Sequence, residues 1–261
     1  MKKNTLLMTC ALVIVLTGCG GAKVLKKPEP LKTTQPLAVA SDSRLATTLD
    51  WVIVRAGPGT WAKNADWDEY LLRFKNLTDS PMQITKVWVY DSLGTQINRQ
   101  LDRRALVKGT KGTKRRYRDS DIKVKAGMGT GKMLAAGAAV GVVGYGLAVG
   151  SAAGGGFGAG AAAGGGAGAA GAVLLAAPVI AFLGIKKGVN NSKVNSEIIR
   201  RQSMLPLALP SSDEVSAKLF FPLSPSPTHV EVIYTDTEGE YRLVIDTQEA
   251  LNGLHLVPEK K

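Results

Sequence analysis

From Met133 to Ile185 the chain carries no charged residue, while Lys and Arg crowd both ends of that stretch. Glycine and alanine alternate there with Val, Leu, Ile and Phe, and a glycine-saturated middle, Gly154 to Gly171, divides it in two. So long a run with so few large side chains is no ordinary core segment, because Gly and Ala bury little apolar surface each. It reads as a hairpin of two Gly-rich apolar helices, close-packed on each other in or against a membrane. Anything else that folds must accommodate this insertion.

Each arm of the hairpin approaches the ~20 residues that cross a bilayer. In the first, about residues 134–151, bulk comes from Val140, Val142, Val143, Leu147 and Val149. Gly137 and Gly141, then Gly146, Gly150, Gly154 and Gly158, recur at every fourth position, a spacing that lets a second helix approach closely. The second arm, about residues 167–185, holds Val173, Leu174, Leu175, Val179, Ile180, Phe182 and Leu183, with Pro178 expected to kink it. Gly costs about 1 kcal/mol against Ala in a helix interior. In lipid an unpaired backbone group costs several kcal/mol, so an apolar surrounding enforces the helix. The first arm has few of the residues that favour insertion, each contributing only about −0.3 to −0.6 kcal/mol. A soluble or oligomer-forming hairpin, and a plain Gly/Ala spacer, stay open beside the membrane reading. The spaced glycines resemble those of glycine-zipper lipoproteins over roughly Gly137 to Gly184, and the resemblance implies a membrane-associated hairpin.

The two ends of the run are basic. Arg103, Arg104, Lys108, Lys111, Lys114, Arg115, Arg116, Arg118, Lys123 and Lys125 face few acids and read as a collar for anionic lipid head groups, each cation contributing around 1 kcal/mol near such a surface. The contacts expected at the ends of the run are Arg115, Arg116, Lys125 and Lys132 before it, and Lys186 and Lys187 after it. A solvated charged loop is the plainer reading of residues 99–132, since Gly109 and Gly112 argue against a continuous helix there. Gly127-Met128-Gly129-Thr130-Gly131-Lys132 has the look of a phosphate loop but lacks its first Gly, where Ala126 stands, and its final Ser or Thr, where Met133 stands.

At the other end of the chain, Met1-Lys2-Lys3 and the apolar Leu6–Leu16 form a secretory signal, too short to span a bilayer as a mature helix. Leu16-Thr17-Gly18-Cys19 resembles the bacterial lipobox, which implies lipidation of Cys19 as the first mature residue. Gly20, in place of Asp, implies sorting to the outer membrane, facing the periplasm. The Pro- and Lys-containing stretch that follows reads as a flexible tether.

Strand patterns occupy the rest. Trp51–Val54, Tyr70–Phe74 and Ile84–Tyr90 precede the insertion, the last two joined across an Asn76–Pro81 turn as a hairpin or a sandwich crossover. Ala217–Phe221 follows it, as do His229–Tyr234 and Tyr241–Ile245, a hairpin about the Asp236–Glu240 turn. Residues 190–204 are a short helix or an extension. Leu72-Arg73-Phe74-Lys75-Asn76, Pro81, Val87–Asp91 and Gly94 resemble immunoglobulin-like modules of bacterial envelope lipoproteins. The expected fold is therefore mainly β with an α insertion: an immunoglobulin-like β-sandwich interrupted by a Gly/Ala-rich helical hairpin. Its parts are a signal peptide (1–18), a lipidated tether (19–45), a first half-sandwich with the basic segment (46–125), the hairpin (126–190) and a second half-sandwich (191–261). Two independent small sheets are the alternative.

The net charge of +12 favours anionic partners. Both cysteines, Cys10 and Cys19, fall in the first twenty residues, leaving no disulfide pair and no thiol for metal or catalysis. His229 and His255 are the only histidines, and neither sits in a zinc or triad spacing; His229 reads as a surface residue. Asp236, Glu238 and Glu240 read as a solvated turn, without the full oxygen set of a Ca²⁺ loop. No catalytic residue, metal or cofactor is expected. The expected function is a non-enzymatic envelope lipoprotein, its hairpin serving membrane association or self-assembly and its β-domain serving structure or partner binding. The expected partners are membrane lipids, further copies of the chain or an envelope protein, not nucleic acid. An oligomeric pore-forming or membrane-perturbing protein is the alternative.

Overall fold

A computed structural model describes residues 21–28, 30–31, 35–130 and 187–257. Its strands are β1 (Lys23–Val24), β2 (Ala38–Ser41), β3 (Leu45–Ile53), β4 (Ala62–Lys63), β5 (Asp68–Asn76), β6 (Met82–Tyr90), β7 (Gln96–Asn98), β8 (Leu207–Leu209), β9 (Glu214–Phe221), β10 (His229–Thr235) and β11 (Glu240–Asp246). Two helices, α1 (Arg103–Asp119) and α2 (Lys187–Arg201), lie between β7 and β8. The described chain is thus mainly β, with helices on either side of the Gly-rich segment.

One antiparallel sheet has the order β2-β3-β5-β9, and a second has β11-β10-β6-β7 with β8 also on β6. Strands from before and after the insertion are interleaved: β9 pairs β5, with Tyr70 opposite Leu219, and β10 pairs β6, with Val89 opposite Val230. Two independent small sheets are excluded by this pairing. The alternation that marks the strands in the sequence is the alternation of burial. In β5, Tyr70, Leu72 and Phe74 point inward while Leu71, Arg73 and Lys75 are more exposed. They meet Val87, Val89, Val230, Val232 and Ile245 of the other sheet in one core, each large apolar side chain contributing about 1.5–3 kcal/mol when fully buried.

The connection between β5 and β6 is a crossover. Buried Asn76 fixes it, its Nδ2 donating to the carbonyls of Ser80 (2.8 Å), Leu209 (3.3 Å) and Pro210 (3.0 Å), so the chain turns from one sheet into the other. The β10–β11 hairpin forms as expected, Val232 opposite Leu243. Its turn is solvated at Glu238 and Glu240, both exposed, while the Asp236 side chain is covered by Arg44, whose Nη1 donates to Oδ2 at 2.6 Å. His229 stacks on Tyr90 with centroids 4.4 Å apart, on a strand paired along both edges.

Two further expectations are corrected. The segment expected as a tether contributes β1, paired with β4, and β2, an edge of the first sheet. Ala22 is buried in a second core with Trp61, Trp67, Leu106, Val194, Ile198 and Phe220. Residues 103–119 are a continuous helix despite Gly109 and Gly112. Asp102 caps it, accepting from the backbone N–H of Arg104 (2.7 Å) and Ala105 (3.0 Å). Gly109 is needed for packing: a Cβ there would stand 2.4 Å from Pro222 Cγ. Tertiary contact overrides the weak local propensity.

Candidate functional site

The functional expectations converge on the place where the Gly-rich segment leaves and rejoins the fold. Cys19 with Leu16, Thr17 and Gly18, the six spaced glycines Gly137, Gly141, Gly146, Gly150, Gly154 and Gly158, and Lys132 and Lys186 all lie outside the described residues. What the structure does place is the collar around them. Among the described residues no helix is long and apolar enough to cross a membrane.

The departing root is held by the C-terminal segment. Lys125 N donates to His255 O (2.9 Å), Val257 N to Lys123 O (3.0 Å) and Thr130 N to Leu256 O (2.8 Å). Gly129, at φ +65°, permits this approach: a Cβ there would meet Leu256 O at 2.5 Å. Residues 127–130, the described part of the false phosphate loop, are thus a docking turn. Beneath it, His255 Nε2 stands 3.0 Å from Asp68 Oδ2, both side chains fully buried. Ser224 N donates to the same oxygen at 3.1 Å. These are the residue types of a hydrolytic triad without its arrangement: the Ser224 amide faces Asp68, while its hydroxyl donates to Pro222 O at 3.1 Å. The cluster fastens the C-terminal segment to β5. No spacing in the sequence signals it, since 187 residues separate the partners.

The returning root is α2. Its inner face packs Val194 and Ile198 into the second core. Near its C-terminal end, Arg201 lies 4.8 Å from the centroid of the Trp61 ring and donates to Glu197 (2.8 Å) and to buried Glu69 (3.4 Å). Trp61 Nε1 also donates to Glu69, at 2.6 Å. Burial holds the Glu69 carboxyl above its usual value of 4.5, against the opposing pull of Arg201 and Trp61. The tiny void of about 10 Å³ beside it, lined by Ile53, Trp61, Trp67 and Glu69 among others, is at the lower limit for one water molecule.

The N-terminus meets the returning root. A Cβ at Gly21 would stand 2.8 Å from Asn191 Oδ1, so the chain two residues after Cys19 touches the first turns of α2. Lys187, the first residue of α2, is four positions before Asn191, about 6 Å of helix. The departing root lies against the loop after β3, where a Cβ at Gly127 would stand 3.1 Å from Arg55 O. That loop continues into β4, the partner of β1.

The basic residues divide by face. On α1, Leu106, Thr110, Thr113 and Tyr117 are buried, at intervals of four, three and four. Burial pushes the Tyr117 hydroxyl up to about 12. Arg116 turns inward to Asp91, its Nη2 3.3 Å from a fully buried carboxylate, and Lys114 reaches Asp66 at 3.5 Å. Arg115 is exposed on the outer face and Lys125 is exposed beyond the helix. With Arg115, the outer face carries Arg104, Lys108, Lys111 and Arg118, all exposed. All five belong to the basic collar expected from the sequence, which did not separate them from the inward cations Lys114 and Arg116. Comparison of the chain with protein families, curated proteins and solved structures finds no match.

Proposed function

We propose that the chain is a non-enzymatic lipoprotein of the cell envelope, attached through Cys19 to the outer membrane and facing the periplasm. Its Gly-rich hairpin serves membrane association or self-assembly, and its β-domain serves structure or partner binding. The observation that carries this reading is the contact of Gly21 with Asn191. Two residues of chain reach at most about 7 Å, so an acyl group on Cys19 and the returning root of the hairpin emerge from one patch of the surface. A single bilayer can then receive both. Acyl chains contribute about 0.8 kcal/mol per buried CH₂, and several make attachment stable.

The sheet pairing supports an immunoglobulin-like sandwich. The order β3-β5-β9 beside β11-β10-β6 corresponds to the A-B-E and G-F-C sheets of that fold, with β7 in the place of C′. On that mapping the hairpin is an insertion between C′ and E.

Two variants of the full chain in a Gram-negative host test the proposal. Cys19→Ser is expected to abolish incorporation of labelled palmitate; continued labelling refutes the lipid anchor. Deleting residues 133–185 is expected to leave labelling intact but to increase release by alkaline extraction or reduce oligomer size. If neither changes, the hairpin has no such role.

A further inference from the structure

Helix α1 divides its cations with a regularity that packing does not require. Arg104, Lys108, Lys111, Arg115 and Arg118 follow at intervals of four, three, four and three. At about 100° per residue they fall within roughly 80° of one another, opposite the buried face, along about 21 Å of helix. The helical residues whose cations meet acids on other elements, Lys114 and Arg116, lie off that line. Among the described residues no acid forms an ion pair with Arg104, Lys108, Lys111 or Arg115, and Arg118 meets only exposed Asp119, at 3.7 Å. Like charges at positions three and four apart on a helix repel one another. A row of five therefore costs the helix a little stability at each neighbouring pair, a cost that an anionic partner turns into a gain. Beyond α1, past the exposed acids Asp119 and Asp121, Lys123 and Lys125 are again exposed on the way to the departing root of the Gly-rich segment.

We infer that the outer face of α1 is a docking surface for anionic phospholipid, on which the β-domain lies against the leaflet. The row is straight and rigid, as a flat array of head-group phosphates requires. It leads along the chain to a segment of the same protein proposed to be at the membrane, which favours a lipid surface over a free polyanion. This inference deepens the membrane reading and rests on it for the location of the surface. It selects Arg104, Lys108, Lys111, Arg115 and Arg118 from the collar as the lipid-facing set, and gives Arg116 a structural role.

The test uses the full chain carrying Cys19→Ser, so that acyl insertion does not mask surface binding. Co-sedimentation with vesicles of neutral phosphatidylcholine reports the hairpin; the gain on adding phosphatidylglycerol reports the row. Each cation near an anionic surface adds about fivefold in affinity, so the gain is expected to be at least tenfold and to collapse at high salt. Changing all five cations to Gln should remove the gain and leave neutral-vesicle binding unchanged. A charge-conserving variant, with Lys and Arg exchanged at the five positions, should keep it. A gain that survives the Gln variant overturns the inference, as does its loss in the charge-conserving variant. Equal affinity of the row for soluble heparin at the same salt assigns it to a polyanion and also overturns it. Failure to bind neutral vesicles counts against the hairpin and leaves the phosphatidylglycerol comparison readable.

Discussion

The two glycines of α1 offer a paired experiment whose result follows from geometry. At Gly109 an added Cβ would stand 2.4 Å from Pro222 Cγ and 3.0 Å from Pro222 Cβ, while at Gly112 nothing lies within 4 Å. Carbon atoms in good contact are about 3.5–4.0 Å apart, so Gly109→Ala must displace the proline ring or tilt the helix. Overpacking of this kind costs about 1–3 kcal/mol. Both substitutions gain the same ~1 kcal/mol of helix propensity, so the difference between them isolates the packing cost. Thermal melting of the full chain in detergent, read by tryptophan fluorescence, suits the question, because Trp61 and Trp67 share the core that Leu106 of α1 enters. Gly112→Ala should raise the melting temperature by about 2–4 °C. Gly109→Ala should melt below Gly112→Ala by several degrees. Equal melting temperatures would refute the close approach of helix and proline as the reason for Gly109.

Two further substitutions probe the buried polar groups. Asp68→Ala removes the hydrogen-bond partner of His255 and should destabilise by about 1–3 kcal/mol in chemical denaturation, with His255→Gln adding little in the double variant; additivity within about 0.5 kcal/mol would show that the two act independently. Glu69, held above its usual 4.5, keeps its proton to higher pH in the folded state than in the unfolded chain. Its contribution to stability is therefore full below that usual value and declines as pH rises through the raised folded-state value. Glu69→Gln should flatten that part of the melting-temperature profile measured between about pH 4 and 8, and an unchanged slope would reject Glu69 as its source.

Strands were legible wherever one face is buried and a turn residue marks the end, as in the hairpin about Gly239. Which sheet each strand joins was not, because that depends on Asn76 reaching Leu209 and Pro210, over 130 positions away. Helix α1 was obscured by its glycines and by an inner face half made of threonine. Thr110 is accommodated by donating to Asp66 O (2.7 Å) and accepting from Leu223 N (3.1 Å), bonds that only the folded chain supplies. Its buried Leu106, Thr110, Thr113 and Tyr117 do keep a helical spacing, but hydrophobicity alone does not reveal it. The basic collar was legible as charge. Its division into an outward row and inward ion pairs required Asp91 and Asp66, which the sequence does not place beside it.

The interleaving of the sheets also sets the order in which the domain can form. β5 and β6 find their central partners, β9 and β10, only in the last third of the chain. As the chain is made N-terminus first, the early strands therefore wait with unpaired edges, a hazard for association with other chains. Lengthening the insertion adds little to the cost of closing the sheets, about 0.6 kcal/mol for each doubling of a flexible loop. Delay, not loop length, is the exposure this topology creates, and arrival of β9 and β10 ends it.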